Sequence, residues 1–178
     1  MEVKRVIAKM SKSLKNVVNP DDMISEYGTD ALRMYEMVLG DFRDSAPWEP
    51  TGIVGVRRFL DRVHTTFTEG KNLAKDEMKT MKLLHKTVKK VGEDIEDYKF
   101  NTAISSLMIL LNEGLPTDSE FQTEWKEKFA ILLHPFAPHM AEEIWNILGH
   151  KDSIYDAGWP SYDEWMLIDD EVTIAVQV

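Results

Sequence analysis

The sequence predicts a mainly α protein: an antiparallel helical bundle, preceded by a small α unit, with short β segments at both ends. Three observations carry this. From Ile53 onward, apolar residues recur at three- and four-residue steps through successive stretches. Gly70, the loop holding Gly114 and Pro116, and the double-proline run from Pro135 to Pro138 separate most of these stretches. Ahead of them, Asn19-Pro20-Asp21-Asp22 reads as a helix start: an N-cap, a proline suited to the first helical position, and two acids at the positive end of the dipole.

Taken in order, Val3 to Ala8 is β-prone and predicts a short strand. Lys9-Met10-Ser11-Lys12-Ser13 follows, then Leu14-Lys15-Asn16. Ammonium groups neutralise phosphate oxygens, and hydroxyls and amides supply donors, so the composition suits a phosphate-handling loop. A solvated basic turn fits the same five residues. Glycine is absent from Lys9 to Asn16, which excludes a Walker-type cradle. The helix opened at Asn19 ends at Gly28. A second helix starts at Thr29 or Asp30 and stops at Gly40, with Ala31, Leu32, Tyr35 and Val38 or Leu39 as its apolar face. Residues 41–52 hold two prolines and no periodicity and read as a linker, with Trp48 expected to pack on the bundle.

In the bundle, Ile53, Val56, Leu60, Val63 and Phe67 form one stripe, with Arg57, Arg58 and Arg62 off it. Met78, Met81, Leu84 or His85, Val88 and Val91 form the next. Lys75, Lys79, Lys82, Lys86 and Lys89/Lys90 repeat on another face of that helix as a lysine ladder. A third helix is predicted over 93–111, with acids in its first turn and Ile95, Phe100, Ala103, Ile104, Leu107, Met108 and Leu111 inward. A fourth spans 120–133, with Trp125, Phe129, Leu132 and Leu133 inward, and a last one runs from about Pro138 to Leu148. Beyond His150, Trp159-Pro160 and Trp165 predict a surface-wrapping loop, and Val172 to Val178 a strand.

There is no cysteine, which excludes a disulfide framework and a thiolate metal site. No run approaches the ~18 apolar residues of a membrane span, and no apolar signal segment opens the chain. A cytoplasmic, monomeric protein without membrane contact is expected. His134 and His139 lie five apart across a double-proline break with no third ligand nearby, so no metal site is predicted. The net charge of −10 argues against a nucleic-acid binder as a whole, but its distribution does not. Residues 53–92 carry 10 Lys/Arg against 4 Asp/Glu, whereas residues 93–178 carry 4 against 18. Such segregation can steer a polyanion onto one face, although lysines that merely solvate a helix would look the same.

Lys9-Met10-Ser11-Lys12-Ser13 with Asn16-Val17-Val18-Asn19-Pro20-Asp21 resembles the second signature loop of the class I aminoacyl-tRNA synthetases. Asp30-Ala31-Leu32-Arg33 resembles the helix after that loop. Arg33-Met34-Tyr35-Glu36-Met37, Pro47-Trp48 and Gly52 to Leu60 are similar to the leucine-specific branch. Leu133-His134-Pro135-Phe136-Ala137-Pro138-His139-Met140-Ala141-Glu142-Glu143-Ile144-Trp145 is similar to the end of the family's anticodon-binding helical bundle. The family often has Lys-Gly after the pentapeptide, where this chain has Leu14-Lys15.

The resemblance implies three parts. Residues 1–49 would be the signature loop and a unit touching the inside corner of tRNA, 50–149 the anticodon-binding bundle, and 150–178 the start of a further C-terminal region. It implies ATP-dependent activation of leucine and its transfer to tRNA(Leu). Lys9 and Lys12 would act catalytically on the ATP phosphates, and Lys9, Met10, Ser11, Lys12 and Ser13 would together form the ATP-binding loop, with Mg²⁺ accompanying the ATP. Arg33, Arg57, Arg58, Arg62, Lys79, Lys82 and Lys86 are the candidate tRNA contacts. The family's His-x-Gly-His signature is missing from the five histidines here, as is the nucleotide-binding sheet, so the isolated chain is expected to be inactive. A ligase part specific for valine, isoleucine or methionine is the near alternative. A non-enzymatic helical adaptor working through the acidic 93–178 half is the distant one.

Overall fold

The computed structural model describes residues 8–41 and 43–168. Seven α-helices are found among them: α1 Pro20–Tyr27, α2 Thr29–Val38, α3 Gly52–Glu69, α4 Glu77–Glu96, α5 Phe100–Glu113, α6 Ser119–Leu133 and α7 Pro138–Ile147. Two 3₁₀ turns, Ile154–Asp156 and Glu164–Leu167, follow. The predicted terminal strand at Val172–Val178 and all but Ala8 of the one at Val3–Ala8 lie outside the described residues.

Helices α3 to α6 run up and down around one core. Ile53, Val56, Leu60, Val63 and Phe67 are all buried, as their spacing predicts. They share one core with Met81, Leu84, Val88 and Val91 of α4, Leu107 and Leu111 of α5, and Trp125, Phe129, Leu132 and Leu133 of α6. The rings of Trp125 and Phe129 stack with centroids 4.8 Å apart, and Phe67 lies 5.9 Å from Phe129. Ala31, Leu32, Met34 and Tyr35 of α2 join the same core, so the small leading unit shares the bundle's interior.

Two local expectations are corrected. The break predicted at Gly92–Glu93 does not occur. Helix α4 continues to Glu96, and the chain reverses at Asp97–Lys99, where Tyr98 takes a left-handed φ of 61°. The acids assigned to the start of a helix therefore end one. Asp94 is tolerated there because Lys90 Nζ (2.9 Å) and Thr102 Oγ1 (2.8 Å) donate to its carboxylate, tying α4 to α5. Met78 is 42% exposed, since Thr80 takes the inward position at that level and donates Oγ1 to the Gly114 carbonyl at 2.9 Å. As expected, Trp48 rests against the shared core, edge-on to Tyr35 of α2 at 4.9 Å.

Residues 150–168 wrap the surface as expected. Ile154 and Met166 are buried. Glu142 of α7 accepts from Ser153 Oγ and Ile154 N, and Lys128 of α6 donates to the Ser161 carbonyl at 2.8 Å.

Candidate nucleotide-binding loop and nucleic-acid interface

The signature loop is a turn closed by its own polar groups. Asn16 is the clasp: its Oδ1 accepts from Ser11 N at 2.8 Å, and its Nδ2 donates to the Lys9 carbonyl at 3.2 Å. Leu14 N donates to the Ser11 carbonyl (3.2 Å) and to Ser11 Oγ (3.3 Å), and the Ser11 and Ser13 hydroxyls lie 3.1 Å apart. The two serines thus shape the turn, and Lys9 and Lys12 project into solvent. Lys15 adopts φ 52°, a left-handed conformation that costs a residue with a Cβ about 1–2 kcal/mol. This is where the family often has glycine, and the reason is visible in the backbone.

Helix α1 carries this loop. Asn19 caps it, accepting from Asp21 N at 3.2 Å, and Pro20 occupies its first position. Among its residues none is fully buried; Met23 and Tyr27 only rest against the core. Gly28 then turns the chain into α2 at φ 90°, ψ 157°, a region essentially reserved for glycine.

The Asp-Ala-Leu-Arg segment clamps α2 to the elbow between α6 and α7. Asp30 is 8% exposed. Its carboxylate accepts from Met140 N at 2.7 Å, lies 2.7 Å from His139 Nδ1, and so caps α7 in place of any residue of α7's own leading segment. Arg33 Nη2 donates to the Pro135 carbonyl at 3.2 Å. Of the candidate tRNA contacts, Arg33 is therefore the one turned inward: a carbonyl left without an amide partner by Pro138 takes its guanidinium. Sequence reading found neither clamp. A carboxylate near its own helix start gives no sign that it serves another helix.

Arg57, Arg58 and Arg62 share the outward face of α3. Arg57 binds Asp61 Oδ1 through Nε at 3.0 Å and the Tyr27 carbonyl through Nη1 at 3.2 Å. Arg58 and Arg62 are exposed, four residues apart and one helical turn from each other. On α4 the lysines do share a stripe, but it is an ion-paired one. Lys79 meets Glu113 at 2.7 Å and Lys90 meets Asp94 at 2.9 Å; Lys82 and Lys86 are half-buried beside it. The Lys79–Glu113 pair lies at the surface, where such pairs are worth little, whereas Asp94 is buried. Among the described residues no group of three or more His, Cys, Asp or Glu could hold a metal ion, and no helix is long and apolar enough to cross a membrane.

Residues 79–178 match the family model described as the anticodon-binding domain of tRNA ligase, and residues 7–46 match that of the class I tRNA synthetases for I, L, M and V. The chain is 48% identical over 180 residues to leucine–tRNA ligases of Borrelia hermsii (strain HS1 / DAH) and Borrelia turicatae (strain 91E135), covering 99% of this chain and 21% of each relative. It thus spans about a fifth of the length of the curated relatives it matches. Its fold is similar, at a TM-score of 0.74 and 27% identity, to a leucyl-tRNA synthetase of Agrobacterium radiobacter K84 crystallised in a ternary complex with tRNA and LeuAMS; the match covers 90% of this chain and 23% of that one. With more than half of its length in the matched family and the synthetase segment ahead of it, the chain belongs to the anticodon-binding domain family of tRNA ligases.

Proposed function

We propose that this chain is part of a leucine–tRNA ligase, an enzyme that activates leucine with ATP and transfers it to tRNA(Leu). The likeness along the whole chain to leucine–tRNA ligases carries this reading, and it favours leucine over valine, isoleucine or methionine. It also disfavours a stand-alone adaptor, which would have no use for an exposed Lys-Met-Ser-Lys-Ser turn.

In this reading residues 1–49 hold the signature loop and a tRNA-contacting unit, 50–149 the RNA-binding bundle, and 150–178 lead into a further region. The leucine carboxylate attacks the α-phosphate, and negative charge grows on the departing pyrophosphate. Lys9 and Lys12 supply the stabilising charge there, each contact being worth roughly 1.5–3 kcal/mol. Ser11 and Ser13, with Met10 between them and Asn16 closing the turn, present both ammonium groups on one short stretch. Mg²⁺ would accompany ATP, held mainly by parts of the enzyme beyond this chain, since the loop is cationic. Arg58 and Arg62 present two guanidinium groups to RNA phosphates, with Lys79, Lys82 and Lys86 adding long-range attraction. The enzyme would act in the cytoplasm.

The test is ATP–pyrophosphate exchange. The full-length ligase containing this chain exchanges with leucine and not with valine, isoleucine or methionine, and Lys12→Ala abolishes most of that activity. The isolated chain shows none. Exchange by the isolated chain, or a preference for another amino acid, overturns the reading.

A further inference from the structure

We propose that Arg57 is a positioning residue for the signature loop: it latches the loop's carrier helix α1 onto the RNA-facing helix α3, with Gly28 as the pivot. This rests on the ligase reading for its consequence in catalysis, but not for the latch itself.

The leading unit is joined to the bundle by contacts of two kinds. Those of α2 are buried or part-buried: Asp30 on the α7 amides, Arg33 on the Pro135 carbonyl, and Ala31, Leu32, Met34 and Tyr35 in the core. Helix α1 has no fully buried residue to hold it. It meets α2 across Gly28, whose φ of 90° only a residue without a Cβ adopts freely. Besides Met23 and Tyr27, which rest partly buried against the core, a polar link joins α3 to α1: the Arg57 Nη1 donates to the carbonyl of Tyr27, the last residue of α1. A cation at this position meets the negative end of the α1 dipole as well as the carbonyl itself. Asp61, one turn along α3, fixes the direction of the guanidinium through Nε at 3.0 Å. The arm's angle is therefore set by the partial burial of Met23 and Tyr27 together with this exposed, two-point contact at its base. A cleft of about 320 Å³ beneath that corner, lined by Thr29, Leu60 and Met140 among others, leaves room for it to move.

Arg57 adjoins Arg58 in sequence, about 100° round α3 from it, and borders the face proposed for RNA. A rotation of the arm about Gly28 displaces Lys9 and Lys12, which lie a helix length away from the pivot. The latch thus makes the loop's grip on phosphate depend on the helix that RNA touches.

The chain has no cysteine, so two introduced thiols can be labelled uniquely. Spin labels at Lys12→Cys and Ser105→Cys (exposed, on α5) report the arm's angle by electron–electron double resonance. Arg57→Ala broadens or shifts this distance distribution while far-UV circular dichroism stays unchanged, and Arg57→Lys restores part of it. In the full-length ligase, Arg57→Ala lowers kcat/KM for ATP in the leucine-dependent exchange roughly three- to tenfold, the worth of one partly exposed charge-assisted hydrogen bond, with little change in tRNA affinity. An unchanged distance distribution overturns the latch, whatever the ligase does. A distribution that responds, when the full-length protein with Lys12 intact lacks leucine-dependent exchange, refutes the ligase reading and leaves the latch standing. Loss of tRNA affinity with normal exchange makes Arg57 an RNA contact and overturns the proposal.

Discussion

The loop arm and the bundle it is attached to are held by different physics. The bundle buries Trp125, Phe129, Leu107, Leu111 and Met81 completely. The arm buries no residue of α1 fully: Met23 and Tyr27 rest against the core, and the rest is an Asn clasp, an Asn cap, one left-handed lysine and one arginine at its base. Hydrophobic burial is non-directional and shared among many contacts, so the bundle is stable but insensitive to any one surface change. The arm's polar contacts are directional and individually small, so it can be re-aimed without unfolding anything. The phosphate-gripping role proposed for the loop needs that property, and a scaffold does not.

This contrast can be broken most severely from the bundle side. Phe129→Ala removes a ring stacked on Trp125 and is expected to cost about 3–5 kcal/mol, read as a lower denaturation midpoint. An intermediate effect is expected at the clamp. Asp30→Ala removes the cap of α7 and should cost about 1–2 kcal/mol, with hydrogen exchange accelerating at the Met140 amide.

A pH effect comes next. Burial, and next the nearby Lys128 charge, lower the His85 pKa from its ordinary 6.5, despite the opposing pull of Glu124 and Asp163. Its Nδ1 accepts from Asp163 N at 3.0 Å, a bond that only the unprotonated nitrogen can take. A depressed histidine pKa gives stability that is complete above the unfolded value and declines as pH falls below it. Thermal melts should therefore show a falling midpoint below about pH 6.5, together with exposure of residues 150–168 to protease. His85→Gln, whose amide oxygen still accepts, should flatten that decline.

The smallest stability effects belong to the arm. Lys12→Ala should leave the denaturation midpoint within about 0.5 kcal/mol of the parent while removing the proposed exchange activity. Lys15→Gly relieves the left-handed strain and should slow hydrogen exchange at the Leu14 and Lys15 amides. Faster exchange there would mean that chain entropy outweighs the strain.

How legible this was in the sequence follows the same division. The α3 stripe was readable because five apolar residues at helical spacing face one core, and each is buried. The start of α1 was readable because Asn19 and Pro20 act on their own helix. What escaped depended on distant partners or on backbone shape. The reversal at Tyr98 carries no glycine or proline to announce it. Gly92, next to the predicted start at 93, lies mid-helix, and Trp159 packs over it with its Nε1 3.4 Å from where a Cβ would stand. The α4 lysines were readable as a stripe, but their carboxylate partners Glu113 and Asp94 come from the next helix and from the next turn. Asp30 and Arg33 were noticed as members of a motif, and only the fold shows them gripping residues more than 100 positions away.

At the opposite end of the bundle the connections before α4 and before α6 are sewn together main chain to main chain. Ala74 N donates to the Leu115 carbonyl at 2.7 Å and Leu115 N to the Asn72 carbonyl at 2.9 Å. A side chain at Gly114 would strike the Asn72 oxygen at 2.6 Å. The seam therefore demands glycine at 114, and Asn72 suits its own place there with a left-handed φ of 76° and an Nδ2 that donates to the Leu111 carbonyl at 2.7 Å. Helices stitched at one extremity can splay only at the other, so any tilting a bound polymer provokes is delivered where Asp30, Arg33 and Arg57 make their contacts.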